Sequence, residues 1–236
     1  MCRMTRQKLF VGKKRILFII RRVKVPAIAK KTFDQLSHVP EFLGIVQFIL
    51  DKISRVSSPL KRARIIHKSI DELNEEIFAH PLVQQFSPCK VGCTACCHTQ
   101  VSVTEDEAEL LAQRIREGIE IDLELLEHQS KVSEETGTFY QLKYEDRKCV
   151  FLDDSGACSV YEDRPSVCRT NAVLGDAQQC LVSGDTQQLR LVKTSKADMV
   201  IYASFLHSKE SGSLPFMVSR KLKEKHLSVL TQSVKL

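Results

Sequence analysis

Eight of the nine cysteines fall between positions 89 and 180: Cys89, Cys93, Cys96, Cys97, Cys149, Cys158, Cys168 and Cys180, with Cys2 alone outside. The first four form C-x3-C-x2-C-C, and the C-x2-C step lets two thiolates of one tight turn converge on a single ion at about 2.3 Å each. The other four are separated by 8, 9 and 11 residues, a spacing that suits the ends of hairpin strands and a short helix. Soft thiolates select zinc, copper(I) or iron-sulfur iron over calcium and magnesium. Eight sulfurs would complete two four-thiolate zinc sites, or one four-iron cluster with four cysteines left for a second site, packing or redox use. Consecutive side chains diverge, so the adjacent pair Cys96-Cys97 favours a polynuclear or shared site. A single free cysteine is ordinarily a small buried hydrophobe, which suits Cys2 and one of Cys96, Cys97 or Cys180. That reading does not account for four cysteines within nine positions.

Cations beside a thiolate site would lower its electrostatic cost, since four thiolates around a divalent ion carry a charge of about −2. Arg164, Arg169 and His98 are the candidates by proximity. Arg169 is expected either to hydrogen-bond sulfur or an anion, or to pair with an acid such as Asp163. Arg164-Pro165 reads as a helix start, and His98 as a residue beside the ligands rather than one of them. Tyr161 reads as core on a short strand. Glu105, Asp106 and Glu107 read as helix N-terminal charges, not as general acids or bases.

The elements that must position these residues are mainly helical. A largely apolar helix is predicted over Glu41 to Val56. Ser57-Ser58-Pro59 then supplies a cap and an N1 proline for a helix from Pro59 to Ala79, whose stripe Ile65, Ile66, Ile70, Leu73, Ile77 and Phe78 reads as ordinary core. The chain breaks at Pro81 and Pro88, and Cys89 to His98 reads as a knuckle-like loop. A strand-like Gln100–Val103 leads into a helix opened by the capping box Thr104/Glu107 and ended by Gly118. A further helix is predicted over Asp122–Val132, and a β-prone run over Thr138–Tyr144. A small β-hairpin is predicted from Cys149–Leu152, the turn Asp153-Asp154-Ser155-Gly156 and Cys158–Tyr161. Asp163-Arg164-Pro165 starts a short helix carrying Cys168 and Arg169. Gln188–Val192 reads as a strand, Ser195–Leu206 as a helix, and a closing helix follows Pro215. The predicted fold class is mainly α with a small β-hairpin, a compact cysteine-rich metal-centred module flanked by helices. Residues 1–40 are expected to form a basic arm and 41–236 a single helical domain containing the module 89–180.

Several function classes drop out on spacing. No two glycines lie within eight residues of one another, so neither a dinucleotide-binding nor a P-loop phosphate cradle can be assembled. No His-Glu-x-x-His, Gly-x-Ser-x-Gly or EF-hand pattern occurs. The longest apolar run, Ile16–Ile20, is far too short to span a bilayer or to serve as a signal-peptide core. The formal charge of +6 conceals an asymmetry: Met1–Phe33 holds eleven Lys or Arg and no acid, leaving 24 basic against 29 acidic residues after it. The arm suggests a solvated tail, or a weak contact with nucleic acid or a membrane surface. Without export the thiols are expected in the reducing cytoplasm, where clustered cysteines read as a metal site rather than a disulfide framework. An odd total also fits a disulfide-only account poorly.

The strings Cys89-x3-Cys93-Thr94-Ala95-Cys96-Cys97 and Gly156-Ala157-Cys158-Ser159-Val160-Tyr161-Glu162-Asp163-Arg164-Pro165-Ser166-Val167-Cys168-Arg169, with Cys149-Val150-Phe151-Leu152 between them, resemble the YkgJ-type zinc- or iron-chelating cysteine-cluster family. The resemblance spans roughly Cys89 to Cys180. Two departures stand out: the family's first step is often C-x2-C, and Val150 occupies a place commonly held by proline. The resemblance implies chelation by the cysteines, of zinc or of an iron-sulfur cluster, and a relationship to flagellin lysine-N-methylase proteins. It does not fix a reaction. Three readings follow: a metal-binding protein, a protein-modifying or redox enzyme that uses the cluster, and a zinc-stabilised nucleic-acid or protein adaptor. The triplet Cys89, Cys93, Cys96 matches the radical S-adenosylmethionine spacing formally, but Ala95 and the small module fit that chemistry poorly. An acidic body, no Trp and no two-cysteine, two-histidine finger weigh against the adaptor.

Overall fold

A computed structural model describes residues 23–89, 92–132, 136–175 and 192–233. The elements in chain order are α1 (Ala27–Leu36), α2 (Pro40–Ser54), α3 (Pro59–Ala79), α4 (Pro81–Phe86), β1 (Ser102–Thr104), α5 (Glu105–Arg116), α6 (Leu123–Val132), α7 (Thr136–Tyr140), α8 (Ser166–Arg169), α9 (Ser195–His207), β2 (Ser211–Ser213) and α10 (Leu214–Ser233). Short 3-10 turns lie at Ala95–His98, Glu145–Arg147 and Tyr161–Asp163. The molecule is mainly helical with one small antiparallel sheet, as the sequence predicts. No described helix is long and apolar enough to cross a membrane.

Two apolar cores organise these elements. The first forms around α9, whose residues Ala197 to Leu206 are all buried. A helix apolar all round must be covered on every side, and α1, α2 and α3 cover it with Ala29, Val46, Ile49, Ile53, Ile66 and Ile70. Phe33 stacks on Tyr202 with ring centroids 3.8 Å apart, and Thr32 Oγ1 donates to buried Asp198 at 2.8 Å. Helix α1 thus packs against the body although it falls within the stretch expected to be the basic arm. The second core joins Val103 of β1, Ala108 and Leu111 of α5 and Leu126 of α6. It also takes in Val150, Phe151 and Val160, and Leu214, Met217 and Val218 of α10. Cys149 and Cys158 pack on its edge.

Local signals set most boundaries. Ser58 caps α3 by accepting from Lys61 N at 3.3 Å, with Pro59 at its first position. The Thr104/Glu107 capping box is present in full. Gly118, at φ 104°, turns the chain away after α5 in a conformation that only glycine adopts readily.

Four expectations are corrected. The run Thr138–Tyr144 forms no strand, because α7 occupies 136–140 and 3-10 geometry follows. Its aromatics instead pack at right angles, Phe139 against Tyr140 at 5.5 Å. The hairpin at 149–161 reduces to one antiparallel bridge, Leu152 with Cys158. There Asp153 Oδ1 accepts from Ser155 N, Ser155 Oγ and Ala157 N, closing a tight side-chain-held turn that leaves no length for a ladder. The sheet lies elsewhere: β1 pairs with β2, Ser102 with Ser213, Val103 with Gly212 and Thr104 with Ser211. Pro81 opens the short helix α4 where a break is predicted. The strand expected at Gln188–Val192 lies outside the described residues except for its last position.

Candidate metal centre

The first cysteine segment is held by its own backbone. Cys97 N donates to Thr94 O at 2.8 Å, and Thr99 Oγ1 donates to Cys96 O at 2.8 Å, so a 3-10 turn presents Cys96 and Cys97 side by side. The second segment is stitched to the first: Cys149 N donates to Cys97 O at 2.8 Å. The bridge at Leu152 then returns the chain to Cys158, and α8 brings in Cys168. Gly156, at φ 79°, closes the intervening turn directly against the first segment. A β-carbon built there would stand 3.3 Å from Thr94 Cγ2.

Five thiols thereby come within electrostatic reach of one another. Cys96 and Cys97 are hydrogen-bonded through their side chains, and that bond, reinforced by burial, drives the Cys96 thiol far up. Burial pushes Cys149 up to about 12, with the charges of Cys158 and Cys96 adding to it. Cys158 and Cys168 are raised first by burial, and both also feel Cys96. All seven described cysteines are free thiols, so no disulfide forms among the described residues. Cys89 is exposed and its Sγ accepts from Val173 N at 3.4 Å, whereas Cys93 is half-buried. Cys180 lies outside the described residues. Among the described residues no three Cys, His, Asp or Glu side chains already close on a common point as an ion site. The donor set is nevertheless sulfur-rich, desolvated and drawn from separate stretches of chain. Burial, and with it the neighbouring thiols, disfavour the thiolate at Cys149, Cys158 and Cys168. A bound cation supplies the positive charge that offsets this, so the group suits zinc or iron-sulfur iron.

Among the surrounding residues Arg164 and Arg169 take roles that the sequence offered, and Tyr161 does not. Arg164, read from sequence as a helix start, is a cation that eases ionisation of both Cys158 and Cys168. Arg169 is buried and makes the structural ion pair that was one of its two expected readings, with Asp71 at 2.5 Å, while its Nε donates to Arg164 O at 3.0 Å. Asp163 is taken by Arg114 at 2.5 Å and Arg64 at 3.5 Å. Tyr161 is 49% exposed rather than core, because a 3-10 turn directs its ring outward beneath the Arg164 guanidinium, 3.9 Å from the centroid. The side-chain amide of Asn171 hydrogen-bonds Cys96. His98 Nδ1 lies 3.2 Å from Thr94 O, which places the proton on Nδ1 and the lone pair on Nε2. Its ring stacks on Tyr144 at 4.2 Å, and burial lowers its pKa.

Sequence reasoning missed one organiser of the site. Glu107 is 2% exposed and does more than cap α5. Its Oε1 accepts from Ser166 N at 2.7 Å and faces His67 Nε2 at 3.3 Å, fixing the start of the helix that carries Cys168 to α3 and α5. The capping box was legible, but the second oxygen's reach across 59 residues was not.

Residues 88–190, a little under half of the chain, match the family model described as "CxxCxxCC: Putative zinc- or iron-chelating domain". No curated protein and no solved structure matches the chain. The match covers the cysteine module and does not extend to a lysine-methylating relative. With its spaced thiols and its Arg-Pro-led helix, the segment 88–190 is similar to the zinc- or iron-chelating cysteine-cluster family.

Proposed function

We propose that this is a metal-binding protein in which Cys89, Cys93, Cys96, Cys97, Cys149, Cys158, Cys168 and Cys180 supply the thiolates for zinc or an iron-sulfur cluster, in the reducing cytoplasm. The observation that supports it most directly is the gathering of unbridged thiols from four separated positions, 96–97, 149, 158 and 168, beside the second core. Structural thiolate sites contribute folding free energy outright. Here the centre would fasten a region that has little regular secondary structure of its own. The adaptor reading draws on the basic arm, which the family match does not reach, and the enzyme reading would use the cluster in a reaction that the match does not name.

Anaerobic purification with metal and acid-labile sulfide analysis and a visible spectrum tests the proposal. Brown protein with labile sulfide identifies a cluster, and colourless protein with stoichiometric zinc identifies a structural site. Protein that carries neither metal, and keeps its melting temperature and spectrum through chelation, overturns it.

A further inference from the structure

The chain between Cys158 and Cys168 has no regular element long enough to fix the two thiols relative to each other, only a 3-10 turn at Tyr161–Asp163 and the single turn of α8. Tyr161 N donates to Cys158 O at 3.1 Å, Asp163 N to Val160 O at 2.9 Å and Arg164 N to Tyr161 O at 3.3 Å. Beyond Pro165 the pattern restarts, with Cys168 N donating to Pro165 O at 3.0 Å. A helical turn leaves its last carbonyls unmatched by its own backbone. Here one side chain takes two of them: Arg169 Nη2 donates to Glu162 O, and Nε to Arg164 O at 3.0 Å.

The remaining edge of the guanidinium reaches another element. Nη1 donates to Asp71 on α3 at 2.5 Å, and Asn74 Nδ2, about a turn further along α3, donates to Arg169 O at 3.3 Å. The Arg169 side chain is 3% exposed and follows Cys168 directly in sequence. At the other end of α8, Ser166 N donates to Glu107 Oε1 at 2.7 Å. The helix that carries Cys168 is thus tied at its start to α5 and at its end to α3. A planar fork of donors holds two carbonyls and a carboxylate in fixed directions at once, whereas an ammonium presents its donors from one rotating atom. Charge is a separate contribution: burial lowers the Arg169 pKa while Asp71, Glu107 and Cys168 raise it, and a guanidinium stays ionised in either case.

We infer that Arg169 is the positioning residue of the metal centre: its fork, anchored by Asp71, sets the spacing of Cys158 and Cys168 by binding the two carbonyls between them, and lysine cannot replace it. The inference rests on the thiolate reading above. It makes α3, which carries no cysteine, part of the framework of the centre.

The full-chain variants Arg169→Lys, Arg169→Gln and Asp71→Asn, purified anaerobically beside wild type, test it. Zinc and iron per chain are followed against rising chelator. The visible spectrum of the native cluster, or of cobalt(II) exchanged for zinc, is recorded at full loading, and the melting temperature on the same samples. Both Arg169 variants should release metal at about one-tenth of the wild-type chelator concentration, with a shifted thiolate-to-metal charge-transfer band. Asp71→Asn leaves both carbonyl bonds in place and should move release about threefold. Wild-type retention and spectrum in Arg169→Lys would show that charge suffices and overturn the inference. So would a lowered melting temperature in the variants with retention and spectrum unchanged, which is the result of a purely structural role. If the Arg169 variants fail to fold, Asp71→Asn, which alters a half-exposed carboxylate, decides the matter, and wild-type retention there overturns the inference. A wild-type chain without metal is a different result: it removes the thiolate reading, and this inference with it.

Discussion

Arg164 shows how much a single side chain sets at this site. It is the cation that eases ionisation of both Cys158 and Cys168, and it does so while its guanidinium is shared with the Tyr161 ring. Residues beside metal ligands commonly change metal affinity 10–100-fold. Arg164→Gln should therefore weaken zinc binding about tenfold, at the low end of that range, as measured by competition with a chromophoric chelator. Arg164→Lys should recover most of the loss, and an unchanged affinity in the Gln variant would show that the charge is irrelevant. Gly156 tests geometry instead of charge. Alanine there meets both a φ of 79° and the Thr94 methyl at 3.3 Å, whereas alanine at Gly118 meets a φ of 104° with nothing within 4 Å. Both variants should lose about 1 kcal/mol from the strained backbone. Only Gly156→Ala should also lower metal occupancy, because only that turn abuts the first cysteine segment. Equal occupancy in the two variants would refute this.

At the level of elements, α3, α5 and α8 meet at one carboxylate. Burial alone would raise the pKa of Glu107; the His67 hydrogen bond and charge, with the Thr104 and Ser166 N–H donors, outweigh it and hold the group at about 2, against an ordinary 4.5. A carboxylate depressed in the folded state contributes stability that is complete above its ordinary range and disappears as the pH falls through its folded value. Glu107→Gln should thus cost about 3 kcal/mol at pH 7. The difference from wild type should narrow between pH 4.5 and 2, read as urea midpoints at pH 7, 5, 3 and 2. A gap that stays constant down to pH 2 would mean that the charge contributes nothing. The same elements show what could be read from sequence. Helix α3 was legible to the residue because Ser58, Pro59 and a three- and four-residue apolar rhythm are local signals. The run 138–144 was misread because Thr, Phe and Tyr favour strands only where a neighbouring strand exists to pair with, and none lies beside it among the described residues. His67 and Asn74 lie on the inner face of α3 beside Ile66 and Ile70, where a sequence shows polar residues without showing that they are buried.

The molecule as a whole is built on two unequal foundations. The core around α9 is assembled from α1, α2 and α3 and contains no cysteine among the described residues, with only Val167 of the Cys168 helix packed on it. The second core borrows Val150, Phe151 and Val160 from chain between the cysteines. Removal of metal at neutral pH under reducing conditions should therefore leave amides of α9 protected while exposing those of 95–98, 149–160 and 166–169, followed by hydrogen exchange with mass readout. Uniform retention of protection would argue that the thiols are ornamental to the fold. The cysteine chemistry was legible because ligand spacing is written along the chain. The pairing of β1 with β2 was not, since its partners lie more than a hundred positions apart and each strand is only three residues long.

That pairing also constrains dissection of the protein. Leu214 N donates to Val101 O at 2.7 Å and Glu105 N to Glu210 O at 3.1 Å, so the β1–β2 contact clasps a strand inside the cysteine module to the chain that follows it. A recombinant piece trimmed to 88–190 would omit β2 and the apolar face that Leu214, Met217 and Val218 press onto α5 and α6. It should be soluble only with difficulty and bind metal poorly, whereas 23–233, which keeps the helices that cover α9, should do both well, which is checked by comparing yield and zinc stoichiometry of the two. The segment that the family model matches leaves out a strand and an apolar face on which its own core rests.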